Sequence, residues 1–135
     1  MANTVNVTKI GEGPNHAVFH VFLQSDGASG NLSYVAIVDP AVNLLPVLGH
    51  TPTLTIMEIW YELLNFGLRM DFGSITPTPV WTLGDATSNH VCFDKFGGLK
   101  DRSPPLDGNG QLLISTSGFT TTAAQGSFVV RLRKD

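Results

Sequence analysis

Apolar and polar residues alternate with a period of two along most of this chain, the mark of extended strands with one face turned to a core. In Ala17-Val18-Phe19-His20-Val21-Phe22-Leu23-Gln24, residues Ala17, Phe19, Val21 and Leu23 fall on one face. The opposite face carries Val18, His20, Phe22 and Gln24 and is itself largely apolar, so partial cover on both sides is expected. Ser25 to Asn31 reads as a turn, because Gly and Asn reach positive φ cheaply and Asp and Ser bond to nearby backbone. Leu32 to Val38 resumes the pattern with Tyr34, Ala36 and Val38 on one side, and Pro40, lacking a ladder N–H, stops it. Leu68 to Phe72 alternates strictly, and in the final segment Phe128, Val130 and Leu132 oppose Val129, Arg131 and Arg133. Val80 to Leu83, His90 to Phe93 and Gln111 to Thr116 are shorter strand candidates, and Phe119 to Thr122 is a short strand or a broad turn.

Thr53 to Leu64 fits two periods. Ile56, Ile59, Trp60 and Leu63 make a helical stripe, whereas the β-branched and aromatic content suits a pleated surface. The lack of a good N-cap, and the Asn65-Phe66-Gly67 turn leading into an alternating partner, favour a strand. Residues 40 to 53 hold Pro40, Pro46, Gly49 and Pro52 among Leu44, Leu45, Val47 and Leu48, which predicts an apolar loop with no long regular element. Pro77 and Pro79 exclude a central strand over Gly73 to Pro79. Gly97 to Gly110, with four glycines and Pro104-Pro105, predicts a loop of about fourteen residues, long enough to serve a function.

Short strands separated by turns, in a chain of 135 residues, predict one all-β domain. The expected architecture is a β-sandwich of about eight strands, with the jelly roll as one form it can take. Residues 11–135 make up that domain, and residues 1–10 stand apart as an N-terminal segment able to act as an extended arm. Charged residues are only 14% of the chain, which argues against the polar faces of a helical bundle. The net charge of −3 offers no basic excess for nucleic acid, and Arg131, Arg133 and Lys134 read as a solvated strand end. Cys92 is the lone cysteine, so no internal disulfide forms, as suits a reducing compartment. No apolar run reaches the length of a membrane span and no signal-like leader opens the chain, so neither a membrane nor secretion is expected.

Candidates for chemistry are few. His16 and His20 are four apart on a strand, roughly 13 Å, too far to share a metal without a bend. His90, Cys92 and Asp94 alternate on one face, as a nucleophile, base and acid could, but no glycine-rich turn nearby supplies an oxyanion hole, and a lone Cys usually packs. Glu58 and Glu62 offer carboxylates for sugar chemistry, with Glu58 expected to face solvent. Trp60, Tyr61 and Trp81 could stack on a sugar, although strand aromatics more often fill cores. Gly11-Glu12-Gly13-Pro14 lacks the Lys and helix of a phosphate loop. Hence no catalytic, metal or cofactor residue is assigned, no cofactor is expected, and the chain is read as a binding protein rather than an enzyme.

The stretches Met1 to Asn6, Ala17 to Gly30 (AVFHVFLQSDGASG), Ile59 to Phe72 (IWYELLNFGLRMDF) and Gly126 to Lys134 (GSFVVRLRK) resemble small virion proteins of tailed bacteriophages, in particular capsid decoration or cement proteins. The resemblance implies a sandwich or jelly roll made in the host cytoplasm and placed on the capsid surface. There it would bind the major capsid protein, often as dimers or trimers, and stabilise contacts between subunits. It transfers no site residues. The segments expected to make contacts are Ala41 to Thr51, Gly97 to Gly110 and the residues before Gly11. A tail or baseplate component and a carbohydrate-binding module are the alternatives.

Overall fold

The computed structural model describes residues 2–47, 49–74, 77–101 and 108–135. Among these, ten strands build two antiparallel sheets. The chain runs β1 (Thr4–Glu12), β2 (His16–Gln24), β3 (Val35–Val38), a one-turn helix α1 (Pro40–Asn43), β4 (Leu54–Leu64), β5 (Gly67–Ser74), β6 (Thr78–Leu83) and β7 (Ala86–Cys92). A 3₁₀ turn at Asp94–Phe96 then leads to β8 (Leu99–Lys100), β9 (Gly108–Ser117) and β10 (Gln125–Lys134). The larger sheet has the order β1-β2-β10-β4-β7 with β8 also paired to β4, and the smaller has β3-β9-β5-β6. Apart from the β1–β2, β5–β6 and β7–β8 steps, every connection crosses from one sheet to the other. With β1 and β8 set aside, eight strands wind between two four-stranded layers in the manner of a jelly roll.

The alternation read from the sequence is what fills the interior. Ala17, Phe19, Val21 and Leu23 of β2, Leu68, Met70 and Phe72 of β5, and Phe128, Val130 and Leu132 of β10 all belong to one buried cluster. The outer face of β2 is half-buried at Val18, His20 and Phe22. Of the ambiguous segment 53–64, Leu54–Leu64 is a strand, and the helical stripe comes from its pairing with β10. Arg131 pairs with Glu58 while Leu132 pairs with Ile56, so Met57 is an extra residue in a β-bulge. The bulge shifts the inward parity, letting Ile56 and Ile59, three apart, both reach the core.

Other expectations change in detail. The segment 1–10 is for the most part ordered into the sheet: Thr4 onward pairs with β2, and Asn3 accepts from the Asp26 N–H and donates to the Gly30 carbonyl. Pro79 lies within β6, an edge strand, beside an irregularity in its pairing with β5, the kind of place a strand proline is tolerated. The predicted loop 97–110 is shorter than expected, since β8 and the start of β9 fall inside it; residues 102–107 lie outside the described residues. Asp39 caps α1 by accepting from the Ala41 N–H, with Pro40 at the first helical position.

The two edges of the sandwich differ. At the β6/β7 edge, Trp81 packs edge-on against Phe93, their ring centres 5.0 Å apart, and Phe93 meets Phe96 in turn. At the β1/β3 edge the sheets part around a cleft of about 530 Å³ walled by Val7, Lys9, Phe19, Ile37 and Val42.

Candidate binding surfaces

Three surfaces gather the residues of chemical interest. The first is the outer face of the larger sheet. Antiparallel register places Glu58 between Arg131 and Cys92, and Trp60 between Val129 and His90. Arg131 donates to Glu58 Oε1 from both Nε (2.9 Å) and Nη2 (2.6 Å) and reaches both oxygens of Asp94 at 3.0 Å. His90 Nε2 lies 2.8 Å from Glu58 Oε2, and its ring stacks on Trp60 with centroids 4.9 Å apart. The hydrogen bond from His90 and then, against desolvation, the Arg131 guanidinium hold the Glu58 carboxyl below the usual range. Glu58 does turn outward, but into this network rather than into open solvent.

His90, Cys92 and Asp94 thus come together without forming a nucleophilic arrangement. The imidazole is engaged by Glu58, Asp94 by Arg131, and the exposed Cys92 thiol by neither. Ligand atoms of Glu58, Cys92 and Asp94 do lie within 4.8 Å of one another. Arg131 already bridges both carboxylates, so the cation among them is a guanidinium. His16 and His20 share the outer face of β2, four residues apart in the same strand. Trp60 and Trp81, expected in the core, are 40% and 38% exposed, while Tyr61 is half-buried and accepts from Asn89. One indole face of Trp60 is taken by His90, which restricts it as a sugar platform.

The basic C-terminal residues are not a free patch. Arg133 pairs with Asp135, and Lys134 points inward, its side chain 1% exposed, onto Glu12 at 2.6 Å. Glu12 also accepts from Lys9 and from the Leu45 N–H. Glu12 and Lys134 stand 122 residues apart in the chain, so no local pattern signals their pairing.

The second surface is the open β1/β3 edge. Ile10 is the extra residue of a bulge between Lys9 and Gly11 and is 59% exposed. Val42 and Leu45 are more exposed still, and Val7 stands at the lip of the cleft beside Val42. Hydrogen bonds from Lys9 to the Asn43 carbonyl and from the Leu45 N–H to Glu12 fasten the α1 segment to β1. Two of the predicted contact segments, the residues before Gly11 and those from Ala41, are therefore joined. The third, Gly97 to Gly110, is divided: Gly97 follows the exposed Phe96 and leads into β8 beside β4, whereas Gly110 lies in β9, next to β3.

The third surface is a pocket of about 420 Å³ on the outside of the smaller sheet, walled by Tyr34, Arg69, Thr82, Ser115 and Ser117 among others. No residue of it was singled out for chemistry from the sequence. Comparison with protein-family models, curated proteins and solved structures returns no match to this chain.

Proposed function

We propose that this chain is a structural protein of a tailed-phage virion, which docks on the outer surface of the head and ties neighbouring capsid subunits together. One observation carries the reading: Val7, Ile10, Val42 and Leu45, drawn from two remote segments, stand exposed along the open edge of an otherwise well-filled sandwich. Burying each against a partner gains about 1 to 2 kcal/mol. A patch of this size gives modest affinity per copy, which suits a protein acting in many copies on a lattice, where contacts that span subunits reinforce one another. The major capsid protein is the partner, and self-association as a dimer or trimer adds symmetric contacts.

The test uses heads assembled without this chain. Purified chain added to them should sediment with the particles in amounts comparable to the major capsid protein. Val42→Glu with Leu45→Glu should abolish co-sedimentation while leaving the melting temperature unchanged. A protein present at only a few copies in purified virions belongs to the tail or baseplate, and one that never co-sediments is not a cement protein.

A further inference from the structure

The pocket on the smaller sheet is built around a guanidinium held from two sides. Arg69 Nε donates to Asp71 Oδ1 at 2.9 Å, and Nη2 donates to the Tyr34 hydroxyl at 2.8 Å. Asp71 is buried, its side chain 1% exposed, which fixes it as an anchor behind Arg69; its second oxygen has no hydrogen-bond partner among the described residues. An arginine carries five N–H donors; with two engaged, three remain, on a side chain that is 39% exposed. Tyr34 completes the wall at some conformational cost, because its φ of 50° lies in the left-handed region that a bulky residue avoids. Two contacts keep it there: its N–H donates to Ser115 Oγ, and its ring lies under the guanidinium, 5.4 Å from the centroid. The hydroxyls of Ser33, Thr82 and Ser117 also line the pocket and have no hydrogen-bond partner among the described residues.

We propose that this pocket binds a carboxylated saccharide, with Arg69 holding the carboxylate and the free hydroxyls of Ser33, Thr82 and Ser117 meeting those of the sugar. Among the described residues lining the pocket the guanidinium is the one cation, backed by a carboxylate, which suits a single planar monoanion better than a phosphate dianion. Its orientation is set before any ligand arrives, so little side-chain freedom is lost on binding. The hydroxyl-rich wall matches a polyhydroxylated carrier rather than an aliphatic acid. This inference is independent of docking on a capsid and stands or falls separately.

The test is an amide NMR titration of the intact chain with glucuronate, glucose and inorganic phosphate across the millimolar range. Glucuronate should give saturable shifts around Tyr34, Arg69 and Ser115, and glucose should bind at least about tenfold more weakly. Arg69→Lys, which keeps a charge beside Asp71 but loses the fork, should weaken glucuronate by about tenfold. Ser33→Ala with Ser117→Ala touches neither Asp71 nor Arg69 and should weaken it about threefold with an unchanged fold. Equal affinity for glucose would remove the role of the carboxylate, and phosphate binding as tightly as glucuronate would remove the saccharide. Absence of saturable shifts, or undiminished binding by folded Arg69→Lys protein, overturns the proposal outright.

Discussion

Replacing Lys134 by methionine should cost about 3 kcal/mol of folding stability. Lys134 Nζ and Glu12 Oε2 are 2.6 Å apart, with side chains 1% and 6% exposed. At an effective dielectric of about 20, unit charges at that separation attract by about 6 kcal/mol, most of which offsets the desolvation of both ions. Removing the lysine strands a carboxylate in the interior, a loss of about 3 to 5 kcal/mol in comparable sites. Glu12 keeps its hydrogen bonds from Lys9 (2.9 Å) and the Leu45 N–H (2.7 Å), which places the expectation at the lower end. In a chain of this size the melting temperature should fall by roughly 10 °C. Urea denaturation followed by tryptophan fluorescence would measure the effect in Lys134→Met, Glu12→Gln and the double variant. The double variant should recover to within about 1 kcal/mol of the parent, since no stranded charge remains. A single variant within about 0.5 kcal/mol of the parent, or a double variant no better than the single, would refute the reasoning. The pair also sets an acid dependence. Burial pushes the Glu12 carboxyl up, but hydrogen bonds from Lys134, Lys9 and Leu45 outweigh it and hold the pKa at about 2. A folded value below the unfolded one means that the stabilisation is complete above the unfolded pKa and drains away as pH falls from about 5 towards 2. Lys134→Met should flatten that decline.

Gly126→Ala should cost about 3 kcal/mol in the same denaturation assay, because the new Cβ would sit 2.5 Å from the Glu62 carbonyl oxygen on the backbone of β4; a loss below about 1 kcal/mol would mean the two strands can part freely. Phe119→Ala should cost about 3 to 5 kcal/mol, since the ring is fully buried and packs edge-on against Phe66 at 4.8 Å. The exposed Cys92 thiol should react with a thiol reagent in native buffer, and Cys92→Ser should leave stability within about 0.5 kcal/mol of the parent; a thiol that reacts only in denaturant contradicts the placement.

Legibility varied with how local the cause was. β2, β5 and β10 were readable because each obeys a strict alternation whose inward half is apolar. β4 was half-readable: its composition was right for a strand, but the bulge at Met57 writes a helix-like spacing that only the pairing with β10 explains. β1 escaped because Thr4–Glu12 carries just three large aliphatic residues, Val5, Val7 and Ile10, and an edge strand has little apolar face to show. Trp60 and Trp81 were misjudged since aromatic content cannot tell which face of a strand meets the core. Arg69, Asp71 and Tyr34 were invisible as a site because their assembly needs β3 and β5 to come side by side through β9, a long-range pairing with no local signal. The irregular, apolar character of the segment after Pro40 was legible, though not its meeting with β1.

The last strand in chain order, β10, lies between β2 and β4 in the middle of its sheet. Ribosomal synthesis therefore delivers the keystone after everything it must hold. Until Gln125–Lys134 emerges, the inner borders of β2 and β4 hang open, each a template for a stray strand from a neighbouring nascent chain. Such a molecule should close late and all at once, and its yield in a cell should hinge on how crowded its own polysomes are.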